Sequence, residues 1–298
     1  MSNIKTWIAE TRPQFLLLAV VLVLLGTSVS YWQGYFNLIY FLLSLFGLVI
    51  LHAAVNILND YFDYKSGLDF MTPKTPFSGG SGLLPAGKLE PKKVYIFGLV
   101  CCFIGLLIGL YFFKIYGLKF LPIIILGGVA VYFYTTVFSK IMLGEIFAGL
   151  GLGLLPVLGA YFVQTGFYSW EAVVAGIVPF ILTHNLLFLN EFPDMEADMK
   201  VGKKNFVIAL GKKNAAYLYA ILTSIVYLVI ALGVYFKFMP ICALISFATV
   251  PFAIKAIQGA IKRHDTVEEI IPSLGVNVMV VLLTQALLAL GYLVAAKL

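Results

Sequence analysis

Long apolar runs, broken by short polar links, dominate the pattern along the chain. Nine runs reach or approach the roughly 20 residues that cross a bilayer as a helix. They cover approximately 14–32, 36–59, 93–115, 118–138, 144–166, 171–190, 214–236, 238–260 and 273–296. The runs are solid rather than alternating, which argues against an outer-membrane barrel. Two connections, about 60–92 and 191–213, are long and polar, and 261–272 is intermediate. The pattern predicts an all-α polytopic membrane protein, nine transmembrane helices in one domain over 1–298.

Composition agrees. Of 298 residues, 61% are hydrophobic and only 11% charged, against roughly 25% charged in soluble domains. The net charge of +6 reflects lysines and arginines in the loops, so it points to topology and not to nucleic acid. With the N-terminus in the cytoplasm, cytoplasmic positives outnumber external ones roughly four to one, which places both long loops inside and the C-terminus outside. Cys101, Cys102 and Cys242 lie in apolar runs, so no disulfide framework is expected. No small-residue cleavage site follows the first run, so no cleaved signal is expected.

An internal echo marks the chemistry. Leu58-Asn59-Asp60-Tyr61-Phe62-Asp63 closes the second run, and Leu189-Asn190-Glu191-Phe192-Pro193-Asp194 closes the sixth. Duplication of a helix-plus-loop unit would give both copies the same central cavity. On a helix Asn56, Asp60 and Asp63 fall within about 60° of one another. Anions there meet the negative end of the helix dipole and each other, and ionisable groups at membrane depth are costly and functional. A divalent cation removes both penalties. Asp194 and Asp198 form a second pair, which Pro193 is expected to place on a new helical stretch, and Lys200, Gly202, Lys203 and Lys204 follow. Two carboxylate sets flanked by lysines suit magnesium on a diphosphate, which takes one or two carboxylates per site and completes its shell with phosphate oxygens.

Other signals are weaker. Gly82 to Lys88 matches seven P-loop positions, but Leu89 replaces the Ser/Thr and no strand precedes it, so it is not a nucleotide site. Ser78-Gly79-Gly80-Ser81-Gly82 reads as a flexible loop over the cavity mouth. His52 and His184 could ligate haem at matched depths, although lining a polar cavity is the simpler role. Tyr132, Tyr134 and Lys140 close the fourth run on the same face as the carboxylates.

At these residues the chain resembles the UbiA superfamily of intramembrane prenyltransferases, and within it the 1,4-dihydroxy-2-naphthoate polyprenyltransferases. The resemblance covers most of the chain. It is carried by Arg12-Pro13, by Asn59-Asp60 through Asp63, Lys65, Gly67 and Asp69, by Tyr134-Thr135, by Leu143-Gly144-Glu145, by Tyr161 through Gln164-Thr165-Gly166, and by Asn190, Asp194, Asp198 and Gly202-Lys203-Lys204. Asp69 lies six residues after Asp63, where many members have four, so it is given no role. Thr136-Val137-Phe138 replaces a Pro-rich tail, and Glu191-Phe192-Pro193 is distinctive.

The resemblance implies nine helices around a central cavity and Mg2+-dependent transfer of a polyprenyl group from its diphosphate to an aromatic acceptor in the lipid bilayer. The expected metal ligands are Asn56, Asp60 and Asp63 for one ion and Asp194 and Asp198 for the other. Lys140 and Lys203, with Lys65, Lys200 and Lys204, would contact diphosphate, and Tyr134 and Asn190 would orient acceptor or phosphate. A haem, chlorophyll, glycerophosphate or 4-hydroxybenzoate acceptor remains open, as does a transporter. A CDP-alcohol phosphotransferase would need an Asp-Gly-X-X-Ala-Arg signature that is absent. Prenyl length and oligomeric state are not readable.

Overall fold

The computed structural model describes residues 3–298. A short surface helix, α1 (Ile4–Glu10), leads through Arg12 and Pro13 into α2 (Leu17–Trp32). Then come α3 (Leu38–Ser66), α4 (Pro91–Tyr116), α5 (Leu121–Phe133), α6 (Gly144–Gly149), α7 (Leu155–Thr165), α8 (Trp170–Lys200), α9 (Phe206–Tyr235), α10 (Val250–Lys262) and α11 (Val267–Ala295). A π-helical turn at Leu150–Leu154 joins α6 to α7, and a 3₁₀ run at Ile241–Thr249 leads into α10.

Among the described residues, eight helices are long and apolar enough to cross a membrane. The fourth of the nine expected spans is the exception. Its apolar helix α5 has 13 residues, about 20 Å at 1.5 Å per residue, short of the roughly 30 Å hydrocarbon core. The regular helix ends at Phe133, Tyr134 caps it still in αR geometry, and the chain departs at Val137 and turns through Phe138–Lys140, so the end of this run serves the cavity.

The central post is α2, α8 and α11. Leu22, Leu25, Val178, Leu182, Val280, Val281 and Leu288 pack there with at most 1% exposure. Helix α8 is buried on most sides, as expected of a helix apolar all round. Helix α3 packs on α4, and α8 on α9. The exposed residues of α4, such as Phe103 and Leu107, form an apolar surface of the kind that meets lipid.

Two local expectations changed. Helix α8 runs through Pro179 and Pro193 to Lys200. A proline removes one hydrogen bond and crowds the previous turn, yet Phe188, Leu189 and Phe192 are almost fully buried around Pro193, and that packing holds the axis. Asp194 and Asp198 therefore stay in register with Asn190 on one face. The motif Tyr161 to Gly166 lies at the opposite end of the bundle from the carboxylates. The Tyr161 hydroxyl bonds Gln33, and Gln164 exchanges hydrogen bonds with the backbone of Asn37, so these residues tie the α2–α3 link to α7.

Candidate active site

A cavity of about 560 Å³ opens between α2, α3, α4, α5, α7 and α8. On α3 it is lined from Ser44 to Asp63, a depth of about 28 Å along the helix. Its mouth is polar. Below the mouth the walls are Leu51, Leu106, Ile124, Gly128, Leu155 and similar residues, down to Phe112 and Phe120.

The two echo motifs meet at Lys203. Helix α8 ends at Lys200, and Gly202, at φ +76°, lets the chain reverse, with the Lys203 N–H donating to the Asp198 carbonyl. That turn puts Lys203 Nζ 3.1 Å from Asp63 Oδ1 and 3.5 Å from Asp198 Oδ1. Burial works against the lysine's charge, but the Asp63 and Asp198 carboxylates outweigh it and hold Lys203 protonated above the ordinary lysine range. Asn205 caps α9 through its Oδ1 on the N–H of Ile208 and donates Nδ2 to Asp198 Oδ2 at 3.2 Å.

Across the mouth, Asp60 Oδ2 accepts the Ser81 N–H at 2.7 Å, and Arg12 Nη1 lies 3.8 Å from Asp60 Oδ1. Arg12 holds a left-handed conformation, φ +53°, uncommon for a non-glycine, which turns it from α1 into the cavity. The Ser81 hydroxyl donates to Glu10 Oε2 at 2.9 Å. Burial first, then the Asp60 charge, push Glu10 up to about 7. Asn56 Nδ2 donates to the Thr11 carbonyl and Asn59 Nδ2 to Thr135 Oγ1. The 78–82 loop thus lies against the carboxylates, and a Cβ at Gly80 would sit 3.1 Å from Asp69 Oδ1 and 3.3 Å from Asp60 Oδ1. Asp69 is therefore part of this cluster. Burial and the charges of Asp63 and Asp60 push it up to about 8.

Of the residues singled out from the sequence, Asn56, Asp63, Asp194, Asp198, Lys203, Lys204, Tyr134 and Asn190 line the cavity, and Asp60 stands beside them with 1% exposure. Lys65 and Lys140 line a smaller crevice of about 220 Å³, reached past Lys203, and Lys200 is exposed outside both. His52 lines the cavity, whereas His184 does not and pairs with Asn185. The sequence reading gave no chemical role to Arg12, Glu10, Ser81, Asn205 or the acids Glu145 and Glu191. Arg12 was legible as the lone arginine before the first run; the others needed the tertiary contacts.

Buried oxygens of Asp60 (Oδ1), Asp69 (Oδ2) and Asp194 (Oδ1) have no hydrogen-bond donor. Such hard oxygen donors fit Mg2+. No group of three or more His, Cys, Asp or Glu among the described residues could by itself hold a metal, which suits an ion that phosphate oxygens help to ligate.

The helical membrane bundle encloses paired carboxylate motifs at the polar mouth of an apolar cavity, a site shaped for a molecule with a charged head and an apolar tail. Residues 17–271 match the UbiA prenyltransferase family; the chain belongs to that family and is a prenyltransferase. It is 30% identical over 259 residues to the 1,4-dihydroxy-2-naphthoate octaprenyltransferase of Bacillus subtilis (strain 168), covering 85% of this chain and 81% of the relative. It is 26% identical to the 2-carboxy-1,4-naphthoquinone phytyltransferase of Synechocystis, covering 97% and 93%. A UbiA homolog from Archaeoglobus fulgidus, solved bound to DMAPP and Mg2+, shares the fold with a TM-score of 0.66 at 16% identity, covering 95% and 98%.

Proposed function

We propose that this enzyme transfers a polyprenyl group from its diphosphate to 1,4-dihydroxy-2-naphthoate, a step of menaquinone synthesis, with Mg2+ as its metal. The observation that carries this is the meeting of two carboxylate motifs at Lys203, above an apolar cavity about 28 Å deep. The likeness to the Bacillus and Synechocystis enzymes supports the naphthoate acceptor. Their names carry different prenyl groups, so chain length stays unassigned.

Asn56, Asp60 and Asp63 would hold one ion, and Asp194 and Asp198 the other. Bound there, Mg2+ supplies Lewis-acid stabilisation of the leaving diphosphate. Lys203 and Arg12 meet the remaining phosphate charge. Asn190 and Tyr134 orient the groups beside the allylic carbon. The apolar walls below take the prenyl chain and keep water from the allylic cation. The lysine and arginine bias supports a cytoplasmic mouth and N-terminus and an external C-terminus.

The test is a membrane assay with Mg2+, labelled polyprenyl diphosphate and either 1,4-dihydroxy-2-naphthoate or 4-hydroxybenzoate, with lipid products identified by mass. Product from the first acceptor alone is expected. Product from the second alone moves the acceptor and keeps the mechanism. Asp60→Asn and Asp194→Asn should each abolish transfer in folded protein, and turnover retained by both would overturn the metal assignment.

A further inference from the structure

The apolar part of the cavity has a measurable length and a built end. On α3 its lining runs from Asn56, beside the carboxylates, to Ser44, a rise of about 18 Å. On α4 it runs from Cys102 to Phe112, a rise of about 15 Å. Phe112 and Phe120 line the far end. Both are almost fully buried, and their ring centroids are 5.8 Å apart. Two further rings back them without lining the cavity: Phe162 at 5.7 Å from Phe120, and Tyr40 at 5.5 Å from Phe112. Tyr116, one turn beyond Phe112, donates its hydroxyl to the Val163 carbonyl and ties α4 to α7 there. The two phenylalanines are therefore a close-packed floor. Between mouth and floor the space is open on the α5 side, where Gly127 and Gly128 line the cavity with nothing within 4 Å of an added Cβ.

A prenyl tail presents the same isoprene unit at every level, so side walls cannot count units. Only an end can. One extended unit spans about 5 Å, four carbon–carbon bonds of about 1.5 Å at their valence angles. The run from Asn56 to Ser44 therefore takes about four units laid straight. A shorter tail leaves the floor rings without their contacts. A longer one has to push Phe112 and Phe120 into Tyr40 and Phe162, which are already packed behind them.

We propose that Phe112 and Phe120 set the prenyl length this enzyme accepts, and that its preferred donor carries a tail of geranylgeranyl size. The proposal rests on the prenyl-transfer reading above and names the donor that reading left open. The rings lie far from the carboxylates and touch no reacting atom. They act on how the tail seats, so their effect falls on kcat/KM as a function of tail length.

The experiment measures kcat/KM for geranyl, farnesyl, geranylgeranyl, hexaprenyl and octaprenyl diphosphates, with Mg2+ and whichever acceptor the membrane assay above identifies. It compares full-length wild type, Phe112→Ala and Ser44→Leu in membranes. Mg2+-dependent binding of geranyl diphosphate reports folding. Wild type should peak at geranylgeranyl, with hexaprenyl at least about tenfold lower, the discrimination that a tight apolar pocket shows against excess bulk. Phe112→Ala opens the floor toward Tyr40 by about one unit, and its hexaprenyl to geranylgeranyl ratio should rise about tenfold. Ser44→Leu adds bulk at the floor in place of a buried hydroxyl without a hydrogen-bond partner, so it should fold and move the peak to farnesyl. A wild-type peak at hexaprenyl or beyond, a flat profile from geranylgeranyl to octaprenyl, or a peak unmoved in both variants overturns the inference and leaves prenyl transfer standing. If Phe112→Ala does not bind geranyl diphosphate, an unmoved peak in Ser44→Leu overturns it alone. If no donor of any length prenylates either hydroxyaromatic acceptor, the functional reading fails first and this inference with it.

Discussion

Lys203→Met removes the cation joining the two motifs while keeping a side chain of similar length. The ammonium lies 3.1 Å from Asp63 and 3.5 Å from Asp198, with the lysine side chain 17% exposed and the carboxylates 12% and 6%. Breaking a buried pair by removing one partner costs about 3–5 kcal/mol, and here two carboxylates lose their partner. The folded state raises the Lys203 pKa, so its stabilisation is fully present below the ordinary lysine value and is lost only as pH rises through the raised one. The cost should therefore be constant across neutral pH. In metal-free buffer the variant should melt well below wild type. In millimolar Mg2+ with a prenyl diphosphate analogue much of that gap should close, because a cation again sits among the carboxylates. The rate should fall about 100- to 1,000-fold, the usual loss of one electrostatic donor to a leaving group. The control is Lys204→Met. Lys204 is exposed, its backbone N–H donates to the Ser139 carbonyl and its ammonium joins neither motif, and the expected loss is under tenfold. The assay pairs thermal unfolding in detergent, with and without Mg2+, with turnover in membranes. A Lys203→Met protein with a rate within threefold of wild type and the same melting gap in EDTA and Mg2+ would refute the reasoning.

Other predictions address the mouth and the cavity floor. Glu10 is held neutral up to about pH 7, so between its unfolded value near 4.5 and 7 the native state binds more protons than the unfolded one. Metal-free stability should fall as pH rises through that window, and Glu10→Gln should remove the Glu10 share of the slope in melting curves, while Asp69, held up to about 8, keeps its own. Gly80→Ala combines a φ of +66° with a Cβ 3.1 Å from Asp69 Oδ1. It should raise the KM for prenyl diphosphate about tenfold and cost about 1 kcal/mol, and an unchanged KM would free the loop from substrate binding. Gly128 lines the apolar cavity with nothing within 4 Å of an added Cβ. Gly128→Leu should fold, abolish transfer from long polyprenyl diphosphates and spare short ones, as read by product mass; equal loss at every length would show that the chain takes another path.

The hydrophobic pattern alone determined that the chain is a helical membrane bundle, because a run of some 20 apolar residues has no other stable place. The echo of Leu-Asn-acid singled out carboxylates that the structure gathers at the cavity mouth, because an acid at a helix C-terminus at membrane depth is costly unless something pairs with it. The reading failed where packing overrides local preference. Pro193 breaks an isolated helix, but buried aromatics hold α8 straight, and that keeps Asp194 and Asp198 in line with Asn190. The fourth run reads as a span by hydropathy, yet α5 stops after 13 residues, because Tyr134 and Thr135 are held at the cavity. Which lysine joins the two motifs was only half legible. The resemblance put Lys140 and Lys203 ahead of Lys65, Lys200 and Lys204, and only the reversal at Gly202 separates the first two by carrying Lys203 between Asp63 and Asp198. Spacing shows which side chains share a helix face; only the packing of helices against one another sets which faces meet.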